Sequence, residues 1–73
     1  GFTLPRVGTT SVAVYSITGQ KIRMLVSGKL DAGTHRVIWN GLDDQAIPAA
    51  SGVYIVRVSA GRYHATGKLT LVR

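Results

Sequence analysis

The chain has 73 residues, which suffices for a single domain with one core, because two cores would not both close in so short a chain. It contains no cysteine, which excludes disulfides and thiolate metal sites, and its apolar runs are far shorter than the ~18 residues that cross a bilayer. The formal net charge of +6 favours acidic partners, although the cations are spread along the chain and no two are adjacent.

The first strong pattern lies at residues 12–17, where apolar and small residues alternate with a period of two. Such alternation, rich in β-branched residues, is typical of a half-buried strand. Gly19 follows in a short polar segment that suits a tight turn, and residues 22–26 form a second apolar segment. These features predict a β-hairpin.

A further strand is predicted at residues 35–39. His35, Val37 and Trp39, the only tryptophan, would face one way, and the two residues between them would face the other. Residues 40–48 then contain two of the three acidic residues, a proline and several turn formers, with no sustained period. This composition predicts a surface loop.

The most apolar segment, residues 53–58, is hydrophobic on nearly both faces and is therefore expected to be central in a sheet. Gly61 marks the next turn, and residues 63–72 predict a last strand with Leu69 and Leu71 facing inward. No window shows an uninterrupted helical period. Five to seven short strands with frequent turns indicate an all-β sandwich or a small barrel.

The motifs Trp39-Asn40-Gly41 and Ser51-Gly52-Val53-Tyr54, which flank the acidic loop, give the chain a family resemblance. It resembles the FlgD-type immunoglobulin-like domain, named for the flagellar hook-capping protein, and is most similar to the type A C-terminal sorting domain of type IX secretion. The resemblance covers almost the whole chain and implies a small immunoglobulin-like β-sandwich of about six to seven antiparallel strands. Its signature residues here are Gly19, Trp39, Asn40, Gly41, Gly52 and Tyr54.

The chain departs from the family pattern at three positions. Ser16 replaces an acidic residue, Asn40 replaces the aspartate of a Trp-Asp-Gly motif, and Ala46 stands where a glycine is usual. The family also has an earlier strand with an Asn-Pro turn, and the sequence begins after it. Residues 1–73 are therefore expected to be one immunoglobulin-like C-terminal domain of a longer exported protein, with a sheet edge that is open or borrowed.

Few side chains are candidates for catalysis or metal binding. The only histidines, His35 and His64, lie far apart, glutamate is absent, and no spacing matches a metal motif. We therefore expect no catalytic, cofactor-binding or metal-binding residues and no enzyme activity. His35 is expected to be half-buried beside Trp39, and His64 to be exposed.

Two local features leave alternatives. Asp43 and Asp44, with Asn40, offer oxygen ligands to calcium, but capping of the loop by Asn40 and Asp43 is the favoured interpretation. Trp39, Tyr54 and Tyr15 could line a ligand surface, but core packing is the favoured interpretation for an aromatic side chain in so small a domain.

The resemblance implies a non-catalytic sorting and attachment domain outside the cytoplasm, in the periplasm, at the cell surface or secreted. Export and surface-anchoring machinery would recognise it through a strand edge or sheet face. An alternative is a structural accessory subunit docked on a larger cell-envelope or membrane protein complex. A third is a small basic nucleic-acid-binding domain, for which Tyr63, between Arg62 and His64, is the one suitably placed aromatic residue. No small-molecule substrate is expected. The predicted recognition residues are Lys68, Leu69, Thr70, Leu71, Val72 and Arg73.

Overall fold

A computed structural model describes residues 2–72 as six antiparallel strands in two sheets, with no helix among these residues. The predicted all-β, immunoglobulin-like sandwich is confirmed. Within residues 2–72 there is no helix that could span a membrane. The strands are β1 (Phe2–Leu4), β2 (Gly8–Ser16), β3 (Lys21–Leu30), β4 (Gly33–His35), β5 (Gly52–Ala60) and β6 (Tyr63–Leu71).

The larger sheet has the strand order β3-β2-β5-β6, and the smaller one pairs β1 with β4. The predicted central position of residues 53–58 is confirmed, because β5 lies between β2 and β6. Both predicted hairpin turns are also present. Gly19, with φ of 93°, allows the chain to turn between β2 and β3, and Gly61, with φ of 61°, occupies the first turn position between β5 and β6.

The core lies between the two sheets. Val12 pairs with Val58 and Val14 pairs with Val56 across the β2–β5 ladder, so all four side chains share the face that the small sheet covers. Leu4 of β1 reaches the same core and is only 2% exposed. Few side chains are fully buried, so the apolar faces of the domain are only partly covered.

The strand predicted at residues 35–39 is shorter and earlier than expected. β4 ends at His35, which pairs with Phe2, the first residue of β1. The predicted alternation nevertheless continues, with Val37 and Trp39 half-buried and Ile38 80% exposed. Trp39 therefore lies beyond the strand in which it was predicted.

Candidate functional site

The outer edge of β6 is the most distinctive surface of the described residues. One side of β6 pairs with β5 from Leu71 to Tyr63, whereas no strand within residues 2–72 pairs with its other side. Tyr63 pairs with Ala60 around a two-residue turn, which makes this a hydrogen-bonded pair and sets the alternation that follows. The backbone N–H and C=O groups that point away from β5 are those of His64, Thr66, Lys68 and Thr70.

The opposite edge of the sheet, β3, is partly covered by the acidic loop. The backbone N–H of Met24 donates to Oδ1 of Asp44 at 3.0 Å, and the N–H of Asp44 donates to the carbonyl of Ile22 at 3.1 Å. Two register shifts along the β2–β3 ladder further disturb this edge. Covering loops and bulges both block edge-to-edge pairing, so β3 is protected where β6 is not.

Side chains within the acidic loop hold it in shape. Oδ1 of Asp43 accepts hydrogen bonds from the backbone N–H groups of Gln45 and Ile47, both at 2.9 Å, and Oδ1 of Asn40 accepts one from Leu42 at 3.1 Å. The predicted capping by Asn40 and Asp43 is thus confirmed. No group of three or more potential metal ligands occurs among residues 2–72.

Ala46 is strained in this loop. Its φ is 61°, and it is the only non-glycine residue of the described part with positive φ. The left-handed conformation costs an L-residue about 1–2 kcal/mol, part of which is offset by the greater freedom of glycine in the unfolded chain. We expect Ala46→Gly to raise the free energy of unfolding by about 0.5 kcal/mol in urea titration. Ala50→Gly, a control without positive φ, should lower it; equal shifts would contradict the strain.

The outer face of the large sheet carries basic residues on both outer strands and on β5. Lys21, Tyr15, Ile55 and Lys68 are consecutive neighbours across the four strands and share this face. The guanidinium carbon of Arg57 lies 5.0 Å from the centre of the Tyr15 ring, a cation–π contact. The acidic residues lie elsewhere, in the loops after β3 and β4, so this face combines cations with apolar side chains and lacks carboxylates.

The inner face of β6 borders an open groove of about 320 Å³. Ala65, Gly67 and Leu69 form one side, and Trp39 and Phe2 are among the residues on the other. The groove exists because the small sheet is short and because small residues occupy the middle of β6. It gives the β6 edge an apolar cleft beside its free hydrogen-bonding groups.

Trp39 is fixed beside this groove. Its ring packs edge-on against Tyr54, with the ring centres 5.0 Å apart, and its Nε1 donates to the carbonyl of Leu42 at 2.8 Å. Tyr54 is buried and donates its hydroxyl proton to the carbonyl of Ala50. The predicted core packing is therefore confirmed for Tyr54, whereas Trp39 is half-buried.

The predicted recognition residues fall largely on the free edge. Residues 68–71 are the last part of β6, Val72 follows it and is exposed, and Arg73 lies outside the described residues. Two signature glycines of the family resemblance also have defined positions. Gly41, of the Trp39-Asn40-Gly41 motif, is buried with φ of 80°. Gly52 begins β5.

The burial and contacts of the two histidines and of Tyr63 can be compared with those predicted. His35 is half-buried as predicted, but its ring contact is with Phe2, at 5.5 Å between centres, rather than with Trp39. His64 is exposed, as expected. Tyr63, the aromatic residue considered for nucleic-acid binding, is half-buried and lines a separate cavity with Arg6 and Arg62.

A family model described as the FlgD Ig-like domain matches residues 2–63. This chain belongs to the FlgD Ig-like domain family. No curated protein and no solved structure gives a significant match. The part of this FlgD Ig-like domain that matches the family model ends at Tyr63, the first residue of β6. Nearly all of the free edge therefore lies beyond the matched region.

The last strand predicted at residues 63–72 is confirmed as β6, but the predicted recognition residues 68–73 do not include the part of the free edge that extends back to His64. A signal was present in Ala60-Gly61-Arg62-Tyr63, because a two-residue turn fixes which residues of the following strand direct their backbone groups outward. No sequence pattern predicts that the loop bonds to the β3 edge, since Asp44 and Met24 are 20 residues apart.

Proposed function

We propose that this FlgD Ig-like domain is a protein-interaction module that docks by adding a partner strand to the free edge of β6. The observation that carries the proposal is the contrast between the two edges of the large sheet: loop residues bond to β3, whereas β6 lacks a second partner among residues 2–72. A peptide that joins a sheet edge gains affinity from main-chain hydrogen bonds. No catalytic step is part of this proposal.

The finer proposal is that the domain sorts and attaches an exported protein. The resemblance to type A sorting domains of type IX secretion supports this role, as does the position of residues 68–71 on the free edge. In this role the export and anchoring machinery would read β6, and the protein would act outside the cytoplasm.

Thr66→Pro tests edge docking. The N–H of Thr66 points away from β5, so proline removes an edge donor and blocks an incoming strand while leaving the β5–β6 ladder intact. In a reporter fused to residues 1–73 and expressed in a bacterium with type IX secretion, we expect at least a tenfold loss of secreted reporter. The matched control Thr66→Val keeps the edge donor and should be secreted like the unchanged domain.

Circular dichroism and thermal unfolding of the two variants separate lost docking from lost folding. Secretion that survives both Thr66→Pro and removal of residues 68–73 would contradict the sorting role.

A second candidate is a structural accessory subunit on a larger envelope or membrane complex. The basic outer face around Lys21, Arg57 and Lys68 favours it, because such a face complements an acidic partner surface. Purification at rising salt concentration tests this candidate. Retention in one complex at fixed stoichiometry would support it, whereas recovery only as the end of a longer exported chain would support sorting.

A further inference from the structure

The side chains on the inner and outer faces of β6 determine which residues of a partner strand pair favourably with it. Building on the proposed edge docking, we infer that the β6 edge binds an extended segment in which a bulky apolar residue alternates with acidic residues. The apolar residue lies opposite Gly67, and the acidic residues lie opposite Lys68 and Thr66. No family match contributes to this inference, because both faces of β6 beyond Tyr63 lie outside the matched region.

The inner face calls for a bulky apolar residue. In a sheet, directly opposite residues on neighbouring strands share a face, so the partner residue opposite Gly67 points into the groove. A Cβ placed on Gly67 would have no atom within 4 Å, which shows that the space above it is open. The groove of about 320 Å³ beside it is bordered by Trp39, Phe2 and Leu69. A large apolar side chain would bury surface that now faces water.

The outer face calls for acidic residues. The partner residues opposite Lys68 and Thr66 share this face with Lys68 and lie one strand further from Arg57, which pairs with Thr66. Neither Lys68 nor Arg57 has an ion pair among residues 2–72, and the guanidinium of Arg57 contacts the ring of Tyr15. Carboxylates are favoured at such positions, and lysines are repelled.

The geometry of a strand makes the two requirements adjacent in sequence. Successive side chains of an extended segment point to opposite faces, so the residue opposite Gly67 is followed and preceded by residues on the outer face. The partner motif is therefore acidic, apolar, acidic. A segment with this pattern is recognised on both faces at once, while its backbone pairs with Thr66 and Lys68.

A synthetic peptide tests this motif directly. The probe is an acetylated and amidated heptapeptide with phenylalanine at its centre, glutamate on each side of it and threonine elsewhere. The matched peptide has lysine in place of both glutamates. Binding is followed by the fluorescence of Trp39, the only tryptophan, which borders the groove. We expect the glutamate peptide to bind at least tenfold more tightly than the lysine peptide at low salt, with the difference shrinking as salt screens the charges.

Substitutions on the outer and inner faces of β6 separate the contributions of charge and of apolar contact to the affinity for the peptide. Lys68→Glu should weaken binding of the glutamate peptide at least tenfold and strengthen that of the lysine peptide. Arg36→Glu makes the same charge change at an exposed residue outside β6 and should alter either affinity less than threefold. Gly67→Val fills the open space and should weaken binding of the glutamate peptide at least fivefold. Thermal unfolding confirms that each variant is folded.

The outcomes distinguish this inference from edge docking itself. If both peptides bind with equal affinity and Thr66→Pro abolishes both, the acidic motif is wrong and edge docking stands. If the glutamate peptide binds but Thr66→Pro has no effect, docking at the β6 edge is wrong. Failure of the glutamate peptide to bind the unchanged domain at millimolar concentration overturns the acidic motif.

Discussion

Trp39→Ala is expected to lower the free energy of unfolding by about 2–4 kcal/mol. Removing the ring eliminates the edge-on contact with Tyr54 and the hydrogen bond to the carbonyl of Leu42. Truncation of a fully buried tryptophan costs about 3–5 kcal/mol, and the partial exposure of Trp39 lowers this range. Urea titration followed by circular dichroism measures the change, because the variant has no tryptophan fluorescence.

The neighbouring residue provides the control. Ile38→Ala removes an apolar side chain that is 80% exposed, and its effect should stay within about 0.5 kcal/mol. Trp39→Phe would retain a ring against Tyr54 but lose the hydrogen bond, and should fall between the two. A loss below about 1 kcal/mol for Trp39→Ala would mean that the loop after β4 is held without this side chain.

Leu4→Ala is expected to lower the free energy of unfolding by about 2–4 kcal/mol. Leu4 is almost completely buried and lies in β1, which has only three residues to hold the small sheet over the large one. Loss of a buried leucine side chain removes apolar contact area and leaves a cavity, which together cost about 2–5 kcal/mol. The β1–β4 ladder should weaken as well, because Leu4 pairs with Gly33.

Amide hydrogen exchange measures whether the β1–β4 ladder weakens in Leu4→Ala. In Leu4→Ala, the amides of β4 should exchange faster, whereas those of β5 should change only as much as global stability does. Val7→Ala, at a residue that is 53% exposed, is the control and should have little effect. Uniformly faster exchange in both strands would show that the small sheet does not open separately.

The local features of the fold could be predicted from the sequence. The β2–β3 hairpin follows from alternation on both sides of Gly19, and the central position of β5 follows from its apolar residues on both faces. The length of β4 could not be predicted in this way. Its alternation continues as far as Trp39, but a strand exists only where another backbone pairs with it, and the described pairing with β1 reaches only His35.

The candidate site could be predicted only in part, for the same reason. The resemblance implies residues 68–73 as the recognition residues, and the structure places residues 68–71 on an edge. An open edge was expected, but not which strand forms it. The position of β6 at the free edge and the partial cover of β3 by the loop containing Asp44 depend on which strands are neighbours. Strand order arises from packing of the whole chain and has no local signal.

The unequal edges of the large sheet also limit how copies of this domain associate. Unlimited fibre growth requires each copy to present two different pairing surfaces, one for the preceding copy and one for the following copy. Contact of β6 with β6 uses the same surface twice, so it has twofold symmetry and is complete with two copies. Bonding of Asp44 to Met24 obstructs part of the second surface on β3, so pairing of β6 with β3 of a following copy is hindered although the domain exposes a nine-residue edge strand.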